Sequence, residues 1–92
     1  MPINIRIPTP LRKLTNEQDV IVANESGTLG QLIDALERDF PGLKERLCDE
    51  RGELRRFVNV YVNGEDVRFM AGLQTAIASG AEVSIVPAVA GG

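Results

Sequence analysis

Helical spacing runs over only one sizeable stretch of this chain. Leu29, Leu32, Ile33, Leu36 and Phe40 fall at i, i+3, i+4, i+7 and i+11, which puts apolar groups along one side of a helix. Thr28 and Gln31 stand ahead of them as T-x-x-Q, the capping box, in which a hydroxyl and an amide answer backbone groups that a first turn leaves open. Pro41-Gly42 stops the helix, and Gln31, Asp34, Glu37 and Arg38 are left to face water. A single helix of this length can cover one face of one sheet. The rest of the chain must supply that sheet.

It does so in short pieces. INIRI (3–7) alternates, with Ile3, Ile5 and Ile7 on one side and Asn4 and Arg6 on the other, the pattern of a half-buried strand. PTPLRKLTNEQ (8–18) reads as a loop, and VIVA (20–23) as a strand returning along the first. Asn24 to Gly27 reads as a turn. After the helix, Leu43 to Leu47 allows a short extra turn, and CDERGELRR (48–56) is a polar loop. FVNVYV (57–62) is the clearest strand, with Val58, Val60 and Val62 facing inward and Phe57, Asn59 and Tyr61 outward. Asn63-Gly64 is a tight-turn dipeptide. DVRF (66–69) is expected as a short returning strand and 71–82 as a loop with one helical turn. EVSIV (82–86) closes the sheet, with Val83 and Ile85 inward and Ser84 and Val86 outward. Pairing is expected to fail at Pro87, which has no N–H to donate.

The predicted architecture is therefore α+β: a mixed sheet of about four or five strands wrapped around one main helix. The helix leaves the other sheet face open. Phe57, Tyr61 and Val86 are expected there as a contiguous apolar patch, the kind of surface that docks proteins.

Composition removes most chemistry. The chain has 92 residues, one domain's worth, with 10 basic and 13 acidic side chains and a net charge of −3, which argues against nucleic acid. It contains no histidine, so no Ser-His-Asp or Cys-His arrangement and no histidine-held metal. Neither phosphate-binding loop motif is present. The one cysteine, Cys48, cannot form an internal disulfide, sits beside Asp49 and Glu50, and reads as structural. With no long apolar run and no leader pattern, no membrane association is expected and the expected compartment is the cytoplasm. Asp49/Glu50 and Glu65/Asp66 read as solvated pairs, and the basic cluster at 53–57 as a solvated turn.

What remains is the end of the sequence, VPAVAGG, where Pro87 is followed by small residues and a diglycine. This tail on that strand and helix order resembles the ubiquitin-like sulfur carriers of the ThiS/MoaD type, which include the thiamin-pathway carrier and the small subunit of molybdopterin synthase. IPTPLRKLT, FVNVYVNGEDVRF, GLQTAIASG and VSIVPAVAGG are similar to the branch that serves cysteine biosynthesis. The resemblance implies a β-grasp domain over 1–87 and a flexible tail over 88–92. It implies a carrier rather than an enzyme, binding no cofactor of its own. The Gly92 carboxylate would be adenylated by an E1-like enzyme, which uses the ATP, and converted to a thiocarboxylate. The sulfur would then pass to an accepting synthase, of cysteine-synthase type in this branch. Gly91, Ala90 and Val89 would thread the partner's channel, where glycine lets the backbone approach closely, and Phe57, Tyr61 and Val86 would dock. A metalloprotease that processes the tail is a further implied partner. The pterin and thiamin branches, and a protein modifier joined to lysines, stand as alternatives.

Overall fold

The computed structural model describes residues 2–24 and 27–87. Among the described residues, seven strands and two α-helices follow in order: β1 (Ile3–Arg6), β2 (Val20–Ala23), β3 (Gly27–Thr28), α1 (Leu29–Asp39), α2 (Leu43–Leu47), β4 (Val58–Val62), β5 (Glu65–Asp66), β6 (Ala76–Ile77) and β7 (Glu82–Pro87). The main sheet has the order β2-β1-β7-β4-β5. Its central pair, β1 and β7, is parallel, and every other pairing is antiparallel. The sheet is mixed, with α1 across one face, as the strand and helix order predicts.

Register explains why the alternating residues end inside. Ile21 lies opposite Ile5, Ile5 opposite Val83, and Val83 opposite Val62, so one apolar row crosses four strands. All of them are buried. The next row, Val20, Arg6, Ser84, Tyr61 and Asp66, faces the other way. Leu29, Leu32, Ile33 and Leu36 of α1 close over the apolar row and are themselves at most 3% exposed. Each such side chain contributes about 1.5–3 kcal/mol when buried. The capping box forms as predicted: the Gln31 N–H donates to the Thr28 hydroxyl at 3.2 Å and the Thr28 N–H to the Gln31 side-chain oxygen at 2.9 Å. Gln31 lies so close to Gly27 that a Cβ there would collide with its amide oxygen. Asn63 and Gly64 both have positive φ, 52° and 87°, the geometry a primed two-residue hairpin turn requires.

Several expectations are corrected. The 8–18 segment is not plain loop: Thr9–Leu14 winds into a 3-10 helix with Pro10 in its first turn, and Leu11 and Leu14 pack on the core. Buried Thr15 ends it by donating its hydroxyl to the Gln18 carbonyl at 2.9 Å. The 66–69 segment is strand only at its start. The Asp66 carboxylate accepts the Arg68 N–H at 2.9 Å, which turns Val67–Phe69 into a 3-10 turn instead of continuing the ladder. Residues 71–82 hold the expected turn at Gly72–Gln74, but also β6, which pairs with β3 to form a second small sheet at the head of α1. Gly27 belongs to that sheet and not to a turn. Glu37 does not simply face water: its carboxylate accepts the N–H groups of Gly42 and Lys44 and caps α2. Pairing does not fail at Pro87, which stands opposite Val58 as the last place in the β4–β7 register. Proline lacks only the donor, and the end of a strand tolerates that loss.

Candidate functional site

β7 delivers the chain end. Between Glu82 and Ser84 it lies between two strands, but β1 pairs with it only through Asn4–Arg6. Beyond that point the chain from β1 turns away at Pro8 into the 3-10 helix, while β7 continues to Pro87 against β4 alone. Among the described residues, the last three of β7 therefore pair along one edge only. Two cavities flank them. One, of about 420 Å³, opens between Arg6, Pro8, Val20 and the Ser84–Val86 stretch. The other, of about 490 Å³, is bordered by Pro10, Leu11, Phe57, Val58 and Ile85 together with the charged Glu45, Arg46 and Arg55. Ile85 lines both.

The candidate docking residues divide here. Tyr61 and Val86 are on the same open face, because Tyr61 faces Ser84 and Val86 faces Asn59, which makes them diagonal neighbours. Val86 is 42% exposed and Tyr61 is half-buried. Phe57, 53% exposed, is not brought to them. It sits in the turn before β4, not in the strand, and borders the cavity with Pro10 and Leu11. Val89, Ala90, Gly91 and Gly92 lie outside the described residues.

The supports of this end come from Arg68 and from the loop that the sequence reads as solvated. The guanidinium of Arg68 donates to the Asn59 side chain at 2.7 Å and to the carbonyls of Arg55, Arg56 and Val58 at 2.7, 2.9 and 2.9 Å. It fastens the turn before β4 to the strand itself. No local pattern announces such a clamp, since the partners lie 9 to 13 residues away in sequence. Asp49 accepts the N–H groups of Arg51 and Glu53 at 2.9 and 3.1 Å, so one of the acidic pair is a turn former. Arg55 donates to the Glu45 carbonyl at 3.0 Å, tying the loop to α2.

Electrostatics around the helices is local. The Lys44 ammonium lies 2.6 Å from Asp34, which raises its pKa. Backbone donation from Lys44 and Gly42 holds Glu37 below the usual carboxylate range. Cys48 is buried, and burial pushes its thiol up, with Lys44 opposing and Asp49 adding to the shift. A buried neutral thiol agrees with the structural reading, although burial rather than the acidic neighbours is the larger cause. No helix among the described residues is long and apolar enough to cross a membrane.

A mixed sheet packed on one face by a helix is shared with known proteins. The sulfur carrier protein CysO of Mycobacterium tuberculosis is 52% identical over the full length of both chains. A chain in the crystal structure of the Amycolatopsis orientalis BexX/CysO complex superposes with a TM-score of 0.90 at 42% identity, covering 98% of this chain and 99% of that one. Small archaeal modifier protein 3 of Haloferax volcanii is 32% identical, again over all of both chains. The model of the ThiS family matches residues 5–92. The fold is the β-grasp, and the chain belongs to the ThiS family of ubiquitin-like sulfur carriers.

Proposed function

We propose that the Gly92 carboxylate is the group that carries sulfur. The observation that carries this reading is the reach of the likeness: it does not stop at the last register pair, Val58 with Pro87, but runs to residue 92. A carboxylate is a poor electrophile. An E1-like enzyme joins a carboxylate oxygen to the α-phosphorus of ATP and releases pyrophosphate. Hydrosulfide then attacks the acyl carbon and AMP leaves; a persulfide does the same if its S–S bond is afterwards reduced. The resulting thiocarboxylate is anionic at neutral pH and nucleophilic at sulfur. It attacks an activated acceptor, and hydrolysis of the acyl group returns the carboxylate. The domain supplies the binding energy and orientation that a lone sulfur atom cannot.

The acceptor is proposed to be a phosphoserine-derived intermediate on a cysteine-synthase-type enzyme, as the 52% identity to CysO favours. Docking is assigned to Tyr61 and Val86 on the open face and to Phe57 beside the exit. The ATP belongs to the activating partner, a metalloprotease is the proposed processor of the tail, and the cytoplasm is the proposed compartment. Incubation with the activating enzyme, ATP and sulfide, followed by intact mass measurement, tests the reading. A gain of sulfur minus oxygen on the C-terminal peptide is expected; its absence with an active partner removes the proposal. The likeness to an archaeal modifier favours a second reading, in which Gly92 forms isopeptide bonds. Lysine adducts in cell extract, lost on removal of Gly92, are its signature.

A further inference from the structure

We infer that Phe69 and Met70 are the anchor by which the adenylating enzyme grips this chain, an inference that rests on the sulfur-carrier reading above. Phe69 is 90% exposed and Met70 45%. A phenylalanine so placed adds nothing to the core and loses hydrophobic free energy to water. Its backbone is nonetheless held. Val67 is fully buried, and the Arg68 N–H is bound by Asp66. The Met70 N–H donates to the Val67 carbonyl at 3.0 Å, and the Ala71 N–H to the Thr75 hydroxyl at 3.1 Å. Between them the Arg68 guanidinium is fixed to Asn59 and three carbonyls. An aromatic ring presented on a fixed backbone loses little entropy on docking, the property of a binding hot spot.

Its position ties it to the tail. Asp66 lies opposite Tyr61, and from there the chain runs alongside β4 toward Val58, whose carbonyl Arg68 reaches. Val58 is the register partner of Pro87. Phe69 and the point of tail departure are therefore at the same end of the sheet. Two strand spacings separate the line of β5 from β7, roughly 10 Å. The five residues after Pro87 reach at most ~17 Å further. A standard interface of ~800 Å² per partner, a disc of ~16 Å radius, covers both. Phe57 and Val86, also exposed, lie at this end, whereas Val22 is displaced toward the other.

The adenylating enzyme is the partner this anchor suits. It acts on a C-terminal carboxylate, a group every protein chain carries, so it must select the folded domain. The sulfur-accepting enzyme also uses the domain for binding and orientation, but it meets a thiocarboxylate, whose anionic sulfur adds a chemical mark that the bare carboxylate lacks.

The experiment measures adenylation and thiocarboxylate formation with the chain as substrate for its activating enzyme. The Phe69→Ala/Met70→Ala double variant is expected to raise KM for the chain about 30-fold, the size of a hot spot, with kcat within twofold. Its melting temperature is expected to be unchanged, and Val22→Ser should leave KM unaltered. Thiocarboxylate prepared chemically, by sulfide cleavage of a C-terminal thioester, should pass sulfur from the double variant as fast as from the parent. An unchanged KM while the parent loads normally overturns the anchor alone. A transfer defect without a loading defect overturns it in favour of the accepting enzyme. Failure of the parent itself to load overturns the sulfur-carrier reading, and the anchor with it.

Discussion

The helix side of the sheet and the end from which the tail leaves use apolar residues in opposite ways. On the helix side, Ile5, Val83, Leu36 and their neighbours are withdrawn from water almost completely. At the tail end, Phe57, Phe69, Met70 and Val86 keep between 42% and 90% of their surface in solvent. Both regions are held in place, the first by packing and the second by backbone hydrogen bonds and the Arg68 clamp. The contrast shows that rigidity and burial are separable in this chain: stability resides on one side, and rigid presentation on the other. Substitutions should sort accordingly.

The sharpest separation is removal of Gly92. Sulfur loading should vanish, while the melting temperature moves by less than a degree or so, because the register among the described residues reaches only to Pro87 and a terminal residue beyond it adds little to the core. Retained loading would break the contrast at once. The reverse case is Leu36→Ala in α1, a residue only 3% exposed. It should cost about 2–4 kcal/mol in denaturant unfolding through lost transfer energy and a residual cavity. The fraction that stays folded should load sulfur at the parental rate. A loading defect in the folded fraction would mean that the core shapes the docking end directly.

Legibility in the sequence follows the same division. Alternation and helical spacing report burial, so β1, β2, β4, β7 and α1 can be read from their apolar residues, and the capping box marks where α1 begins. Elements held by side chain to backbone bonds leave no such trace. The 3-10 turn after Asp66 looks like strand because Val67 and Phe69 alternate, yet one carboxylate accepting one N–H redirects it. The Arg68 clamp and the β3–β6 pair depend on residues distant in sequence. Phe57 continues the alternation of β4 but precedes the strand, so the periodicity places it on the open face and the turn carries it to the exit cavity. The diglycine, by contrast, is legible because the function proposed for it rests on backbone and carboxylate, which need no fold to be recognised.

A smaller effect probes the join between the two regions. Thr28 caps α1 next to the β3–β6 pair. Thr28→Ala should cost about 1 kcal/mol, the usual value for a lost N-cap. Thr28→Ser should recover most of it. Loading should be unaffected in both, since the cap is closed between Thr28 and Gln31 and neither residue borders the cavities beside Ile85; a shift in KM would show that the helix cap is transmitted to the exit.

The smallest expected effect concerns pH. Glu37 accepts the N–H groups of Gly42 and Lys44, which lowers its pKa from 4.5. A lowered carboxylate pKa means that the unfolded chain binds the proton more readily, so the contribution is present above the ordinary carboxylate value and is lost as pH falls through the folded one. Glu37→Gln removes the charge but leaves an amide oxygen to accept. The variant should therefore show a slightly shallower loss of stability below pH 4.5 than the parent, with nearly equal stability at neutral pH. Urea midpoints measured across the acid range would show it. If the two acid limbs superimpose, the cap acts through geometry alone, and the charge on Glu37 adds nothing to holding α2 against the helix side of the sheet.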